Sequence, residues 1–273
     1  MRIKWGIPLS FIDSHCHLDR YPDLESVMER ARQAQVPLVL TICTSIANFD
    51  KVIAIAERYP QVYASVGIHP SDVSTEMDPT VYDWLMEKVA HPKVVALGET
   101  GLDVMPSSPP LELQERLFRI HIQGALDTGL PLVVHTRHAD DPFLSVLRSY
   151  RQKPLGVLHC FTGSLSCAQE AISWGWKVSL SGILTFKNAQ SVQDMAQRLP
   201  LEALLIETDA PWLAPQKYRG EINEPSYIVE TAATLAQLHQ VPLEKVASWT
   251  TRSFFELFKK IPPLAPHTPI NNR

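Results

Sequence analysis

Short apolar runs alternate with longer amphipathic stretches along most of the chain. The runs are SFID (10–13), PLVLTIC (37–43), VYASVGI (62–68), KVVALGE (93–99), PLVVH (131–135), GVLHC (156–160), KVSLSG (177–182) and LLIETD (204–209). They are rich in Val, Leu and Ile and barely alternate with polar residues, the pattern of parallel strands buried on both faces. Between them, DLESVMERARQAQ (23–35) places Leu24, Val27, Met28 and Ala31 on one helical face. LELQERLFRIHIQGALDTG (111–129) ends on Gly129, a natural C-cap. Two further amphipathic helices are read over 225–240 and 243–260. Eight strands alternating with helices predict βαβ units in a parallel sheet, and eight strands close an α/β TIM (β/α)8 barrel. The competing open, doubly wound sheet lacks a GxGxxG after its first strand. The expectation is a single barrel domain over 1–261, with 262–273 as a disordered, proline-rich tail.

Composition narrows this picture. Of 273 residues, 45% are hydrophobic, enough for a large core, and the formal net charge is −4. Such a balance does not announce a non-specific nucleic-acid binder, which carries a basic face. The cysteines Cys16, Cys43, Cys160 and Cys167 show no CxxC spacing, so reduced, mostly buried thiols in a cytoplasmic protein are expected. The N-terminal MRIKWGIPLSF lacks the apolar core of a signal peptide, and no apolar run approaches the roughly 20 residues of a membrane span. No membrane association and no obligate protein partner are expected.

The chemistry lies in where polar residues fall. His15 and His17 close the first strand, one residue apart, so their rings face one side. Glu99 closes the fourth strand, His135 the fifth, Asp209 the eighth, and His159 sits near the end of the sixth. In a TIM barrel these positions surround one mouth, where active sites lie. Four imidazoles and two carboxylates exceed one tetrahedral ion and suit two divalent ions sharing a carboxylate. Mixed N/O donors accept Mg, Mn, Zn, Ni or Fe, and affinity order alone does not choose among them. Such a pair activates water and steadies a leaving oxygen, with Asp209 placed for proton transfer. Other chemistries lack their motifs. Ser14 and Ser45 have no GxSxG elbow, there is no GxxxxGK[ST], and Cys16 and Cys160 face away from their neighbouring histidines.

The stretches FIDSHCHLD, SVGIHPSDV, VVALGETGLD, PLVVHTR, LHCFTGS, VSLSGILTF, LLIETDAPWLAP and RGEINEPSYI together resemble the TatD family of metal-dependent deoxyribonucleases. The resemblance spans about Phe11 to Phe258 and implies a TIM barrel of the amidohydrolase superfamily. It implies hydrolysis of phosphodiesters, often as a 3′→5′ exonuclease, with DNA ends as the nucleic-acid partner. Carried onto this chain, it places one metal on His15, His17 and Asp209, with Glu99 bridging to a second held by His135 and His159. The catalytic pair is then Asp209 and Glu99, and His69, Arg137 and Arg219 lie at the substrate side. An arginine fork suits a phosphate with two oxygens to bind.

Some positions depart from the family pattern. Val104 and Met105 stand where an aromatic pair is usual after GLD. Glu221 and Ile222 replace two basic residues, and His138 replaces an aspartate. A hydrolase of another ester or amide, including aminoacyl-tRNA deacylation, is the alternative on the same scaffold. Many two-metal amidohydrolases end the fourth strand with a carboxylated lysine. Here Glu99 holds that place and Lys93 lies at the other end, which favours the nuclease branch. A non-enzymatic metal-binding protein is the third reading, opposed by six intact ligand positions.

Overall fold

The structure, a computed structural model, describes residues 9–74 and 80–262. The segment 263–273, most of the expected tail, lies outside them. Eight parallel strands follow in chain order: β1 (Ile12–Cys16), β2 (Leu38–Thr41), β3 (Val62–Val66), β4 (Val94–Asp103), β5 (Leu132–Arg137), β6 (Gly156–Leu158), β7 (Lys177–Leu180) and β8 (Leu204–Ile206). Each pairs with the next in a single sheet. The ring closes between β8 and β1, where the Asp209 N–H donates to the His15 carbonyl (2.9 Å) and the His17 N–H to that of Ala210 (2.8 Å). The buried Asp13 carboxylate ties the same seam, accepting from Thr208 N–H (3.0 Å) and Thr208 Oγ1 (2.6 Å). The fold is a TIM barrel in one domain.

Helices fill the crossovers: α1 (Leu24–Gln33), α2 (Phe49–Arg58), α3 (Thr80–Val89), α4 (Leu111–Thr128), α5 (Asp140–Arg148), α6 (Leu165–Ser173) and α7 (Gln190–Arg198). They are followed by α8 (Ile228–Leu238) and α9 (Leu243–Leu257). α1 starts on Asp23, whose side chain accepts from the Ser26 N–H, and buries Val27, Met28 and Ala31, the face its apolar spacing marks. α4 stops where Gly129 turns left-handed at φ 71°.

Successive residues of a strand enter different cores. Val39 packs with the helices, while Leu38 and Leu40 join Ile12, Val95, Val133, Val157 and Leu205 inside the barrel. Phe254, Leu257, Phe258 and Ile261 belong to that interior cluster. The same end of α9 bonds groups just before strands begin. Lys260 Nζ donates to the carbonyls of Val89 (3.1 Å) and His91 (2.9 Å), and Ser253 Oγ to that of Glu202 (2.8 Å). α9 therefore plugs the N-terminal end of the barrel, leaving the other mouth for chemistry.

Four strand ends differ from expectation: β1 stops at Cys16, so His17 lies just past it. β6 stops at Leu158 and β8 at Ile206, so His159 stands one residue and Asp209 three residues beyond their strands rather than within them. β4 does not end at Glu99 but runs on to Asp103. Its register explains why Glu99 still reaches the mouth. Leu97 pairs with Leu132 and Thr100 with Val134, so three steps on β4 oppose two on β5. The extra residue is a bulge at Gly98–Glu99, which re-aims the glutamate. Only glycine fits there, because Gly98 has φ 134° and a Cβ would overlap the Val133 carbonyl oxygen. A matching irregularity lies between Asp13 and Cys16 in β1, where His15 sits.

Candidate active site

The mouth is a cleft of about 670 Å³ whose lining includes His17, His69, Glu99, His135, His159 and Asp209. Glu99, 3% exposed, lies at its centre and uses its two oxygens on two sets of imidazoles. Oε2 lies 3.4 Å from His15 Nε2 and 3.9 Å from His17 Nε2. Oε1 lies 2.8 Å from His159 Nε2 and 3.3 Å from both His135 Nδ1 and His69 Nε2. Asp209 completes the first set, with Oδ1 3.5 Å from His15 Nε2 and 3.4 Å from His17 Nε2. Asp209 holds this position from a left-handed backbone, φ 55°, a conformation that non-glycine residues adopt mainly at functional sites.

These atoms fit a divalent cation. An ion with tetrahedral bonds of about 2.1 Å holds its ligand atoms roughly 3.4 Å apart. His15 Nε2 and His17 Nε2 are 3.2 Å apart, and each lies 3.4–3.9 Å from Glu99 Oε2 and Asp209 Oδ1. The second set tests differently, through its protons. His159 Nδ1 faces Glu207 Oε1 at 3.3 Å, and His135 Nε2 faces Asp103 Oδ2 at 3.0 Å. Each ring thus meets carboxylates at both nitrogens. Carboxylates accept only, so a proton or a cation must stand between Glu99 and each ring.

The titration tendencies agree. Burial opposes charge on His159, yet Glu99 and Glu207 raise it well above the ordinary histidine value. Burial likewise opposes charge on His135, but Asp103 and Glu99 raise it. Burial would lift the Glu99 carboxyl, but His159, His69 and the other rings hold it well below the usual carboxylate range. Asp209 is also lowered, with burial overcome by His17 and His15. His15 is pushed down, first by burial and then by the charge of His159. The hydrogen bond from His135 lowers Asp103 to about 2. Burial pushes Asp13 in the closing seam up to about 8, against the Thr208 bonds that lower it.

His69 is close enough to Glu99 and His135 to be grouped with them as a metal donor. Its protons argue otherwise. Nδ1 accepts the Ser71 N–H at 3.1 Å, so Nε2 carries the hydrogen and points it at Glu99. His69 is therefore a hydrogen-bond donor facing the cleft. Arg137 lines the cleft and is exposed. Arg219 is not brought in: it is exposed, outside the lining, with its guanidinium over the Phe186 ring at 4.4 Å.

Asp103 and Glu207 escaped the sequence reading, although each sets the tautomer of a candidate ligand. Glu207 carried a signal, since it stands two residues before Asp209, the same spacing that drew attention to His15 and His17. Arg20, on a single 3-10 turn after β1, and Trp212, in the loop after β8, also line the cleft in segments that periodicity does not reach.

A TIM barrel with buried imidazoles and carboxylates converging at the C-terminal mouth defines a metal-dependent hydrolase. Residues 12–259 match the family described as TatD related DNase, and the chain belongs to that family. A Bacillus subtilis relative, named uncharacterized metal-dependent hydrolase YabD, is 36% identical over 251 residues, 90% of this chain and 98% of its own. A Mycobacterium tuberculosis relative, named uncharacterized metal-dependent hydrolase TatD, is 37% identical over 250 residues, 88% of this chain and 94% of its own. The crystal structure of YjjV, a TatD homologue from Escherichia coli, matches with a TM-score of 0.84 at 33% identity. That match covers 92% of this chain and 98% of YjjV. None of the described helices is long and apolar enough to cross a membrane.

Proposed function

We propose that the chain is a deoxyribonuclease that hydrolyses phosphodiester bonds at the 3′ ends of DNA, using two divalent ions that share Glu99. The observation that carries this reading is the division of Glu99, one oxygen toward His15 and His17 and the other toward His135 and His159. Ions held by these residues would lower the pKa of a water and polarise the scissile phosphate. Asp209 is 15% exposed, so its carboxylate faces the cleft, where it accepts the proton of the attacking water. The Arg137 guanidinium supplies donors for the phosphoryl oxygens, with His69 beside it on the substrate side of Glu99. Asp103 and Glu207 keep His135 and His159 in the tautomers that turn a lone pair to the site. The four free thiols suit a reducing, cytoplasmic setting.

The test is turnover of a 5′-labelled single-stranded oligonucleotide in Mg or Mn. A small phosphodiester and a panel of esters and amides are run beside it. Stepwise shortening from the 3′ end, abolished in His15→Ala with the fold intact, is the expected result. Turnover of an ester or amide but of no phosphodiester would replace the substrate class and leave the metal-dependent hydrolase in place.

A further inference from the structure

One wall of the cleft carries an aromatic ring with no packing duty that explains its exposure. Trp212 is 48% exposed, among the largest apolar side chains left open to solvent among the described residues. It meets the His17 ring at 4.8 Å between centroids, close to perpendicular. The Arg20 guanidinium sits over the indole at 5.9 Å from its centroid. Arg20 is itself 50% exposed, pairs through Nε with Asp19 Oδ2 at 3.4 Å, and lines the same cleft as Trp212.

The segment that carries the indole is anchored through its backbone. The Trp212 N–H donates to the Asp209 carbonyl at 3.1 Å, and its own carbonyl accepts from Asn223 Nδ2 at 2.6 Å. The first bond ties the Trp212 backbone to that of Asp209, the residue proposed to take the proton. Asn223 is fully buried and also donates to the Thr208 carbonyl at 2.9 Å. Across the mouth, Val104 at the exit of β4 is exposed but aliphatic and lies outside the cleft lining.

We infer that Trp212 and Arg20 form the subsite for the terminal nucleotide: the indole stacks on its base, and the guanidinium holds an adjoining phosphate. This rests on the nucleic-acid reading above and names how that substrate is gripped. Stacking suits an exonuclease that accepts many sequences, because every base has a π-face. A guanidinium already lying over the indole adds charge without competing for the exposed part of the ring.

The test uses two fluorescein-labelled single-stranded oligonucleotides, one ending in thymidine and one in an abasic deoxyribose. A terminal phosphorothioate slows their cleavage. Binding to the full chain is read by anisotropy and turnover on the unmodified pair. The wild type should bind the thymidine end about 5-fold or more tightly, within the range measured for one stacked base. Trp212→Ala should erase that preference and Trp212→Phe should keep most of it. Arg20→Met should weaken both oligonucleotides alike and reduce the salt dependence of binding. A wild type blind to the base, or a Trp212→Ala loss equal for both ends, overturns the subsite. Base-dependent binding lost in Trp212→Ala but without turnover keeps the subsite and rejects the deoxyribonuclease reading.

Discussion

Asp103→Asn is the sharpest probe of how the site divides. Asp103 Oδ2 lies 3.0 Å from His135 Nε2, and Ser108 Oγ donates to Oδ1 at 2.8 Å. The substitution keeps the shape and removes the charge. His135 then loses the group that fixes a hydrogen on Nε2 and leaves Nδ1 free to face Glu99. Loss of such an outer partner costs about 10- to 100-fold in metal affinity, or about 1.4–2.7 kcal/mol. Asp103 lies at hydrogen-bond distance from His135 and makes no hydrogen bond or ion pair with His15, His17 or Asp209. A calorimetric titration with Mn should therefore show one class of sites weakened and the other within about twofold of wild type. Equal weakening of both classes, or of neither, would refute the assignment of His135 to its own set. Glu207→Gln, acting through His159, should reproduce the result.

Three further outcomes follow from the same contacts. At pH 7 metal binding should release protons, because His135 and His159 are raised by the carboxylates around them and must give up the protons facing Glu99; calorimetry in buffers of different ionisation enthalpy measures this, and no release would oppose the proposed exchange. His121 is fully buried, accepts the Ile68 N–H at 3.2 Å and is held down to about 4 by burial. Its folded value lies below its unfolded one, so its contribution is full above pH 6.5 and falls away as pH drops toward 4, by about 3 kcal/mol; urea unfolding at pH 7.5 and 4.5 should show a flatter acid limb in His121→Leu. Phe258→Ala should cost about 3–5 kcal/mol by opening the plug in the barrel floor, while metal affinity, set at the opposite mouth, stays unchanged.

The barrel was legible because its strands are apolar on both faces and evenly spaced, a pattern few other folds share. The residues that gather at the mouth were legible for a related reason: polar residues interrupt those runs at the same end of different strands. What the pattern missed required three dimensions. Glu99 reaches the mouth through a bulge, and GET reads as a strand end because a bulge has no periodic signature. Asp103 and Glu207 act on the far nitrogens of rings whose orientation only the folded chain sets. Arg219 sits in a motif that promises a phosphate contact, yet it stacks on Phe186, while Arg20 comes from the turn after β1 to line the cleft. Loop residues follow local backbone geometry rather than a repeat, so the substrate wall was the least legible part.

The central claim is that Glu99 joins two cation sites. Anomalous diffraction from crystals grown in saturating Mn, with elemental analysis of the same protein, counts the ions and locates them. Two ions are expected, one among His15, His17 and Asp209 and one between His135 and His159, each touching a different Glu99 oxygen. Glu99→Gln should lose at least one of them. A single ion at saturation, or two ions neither of which contacts Glu99, would contradict the claim.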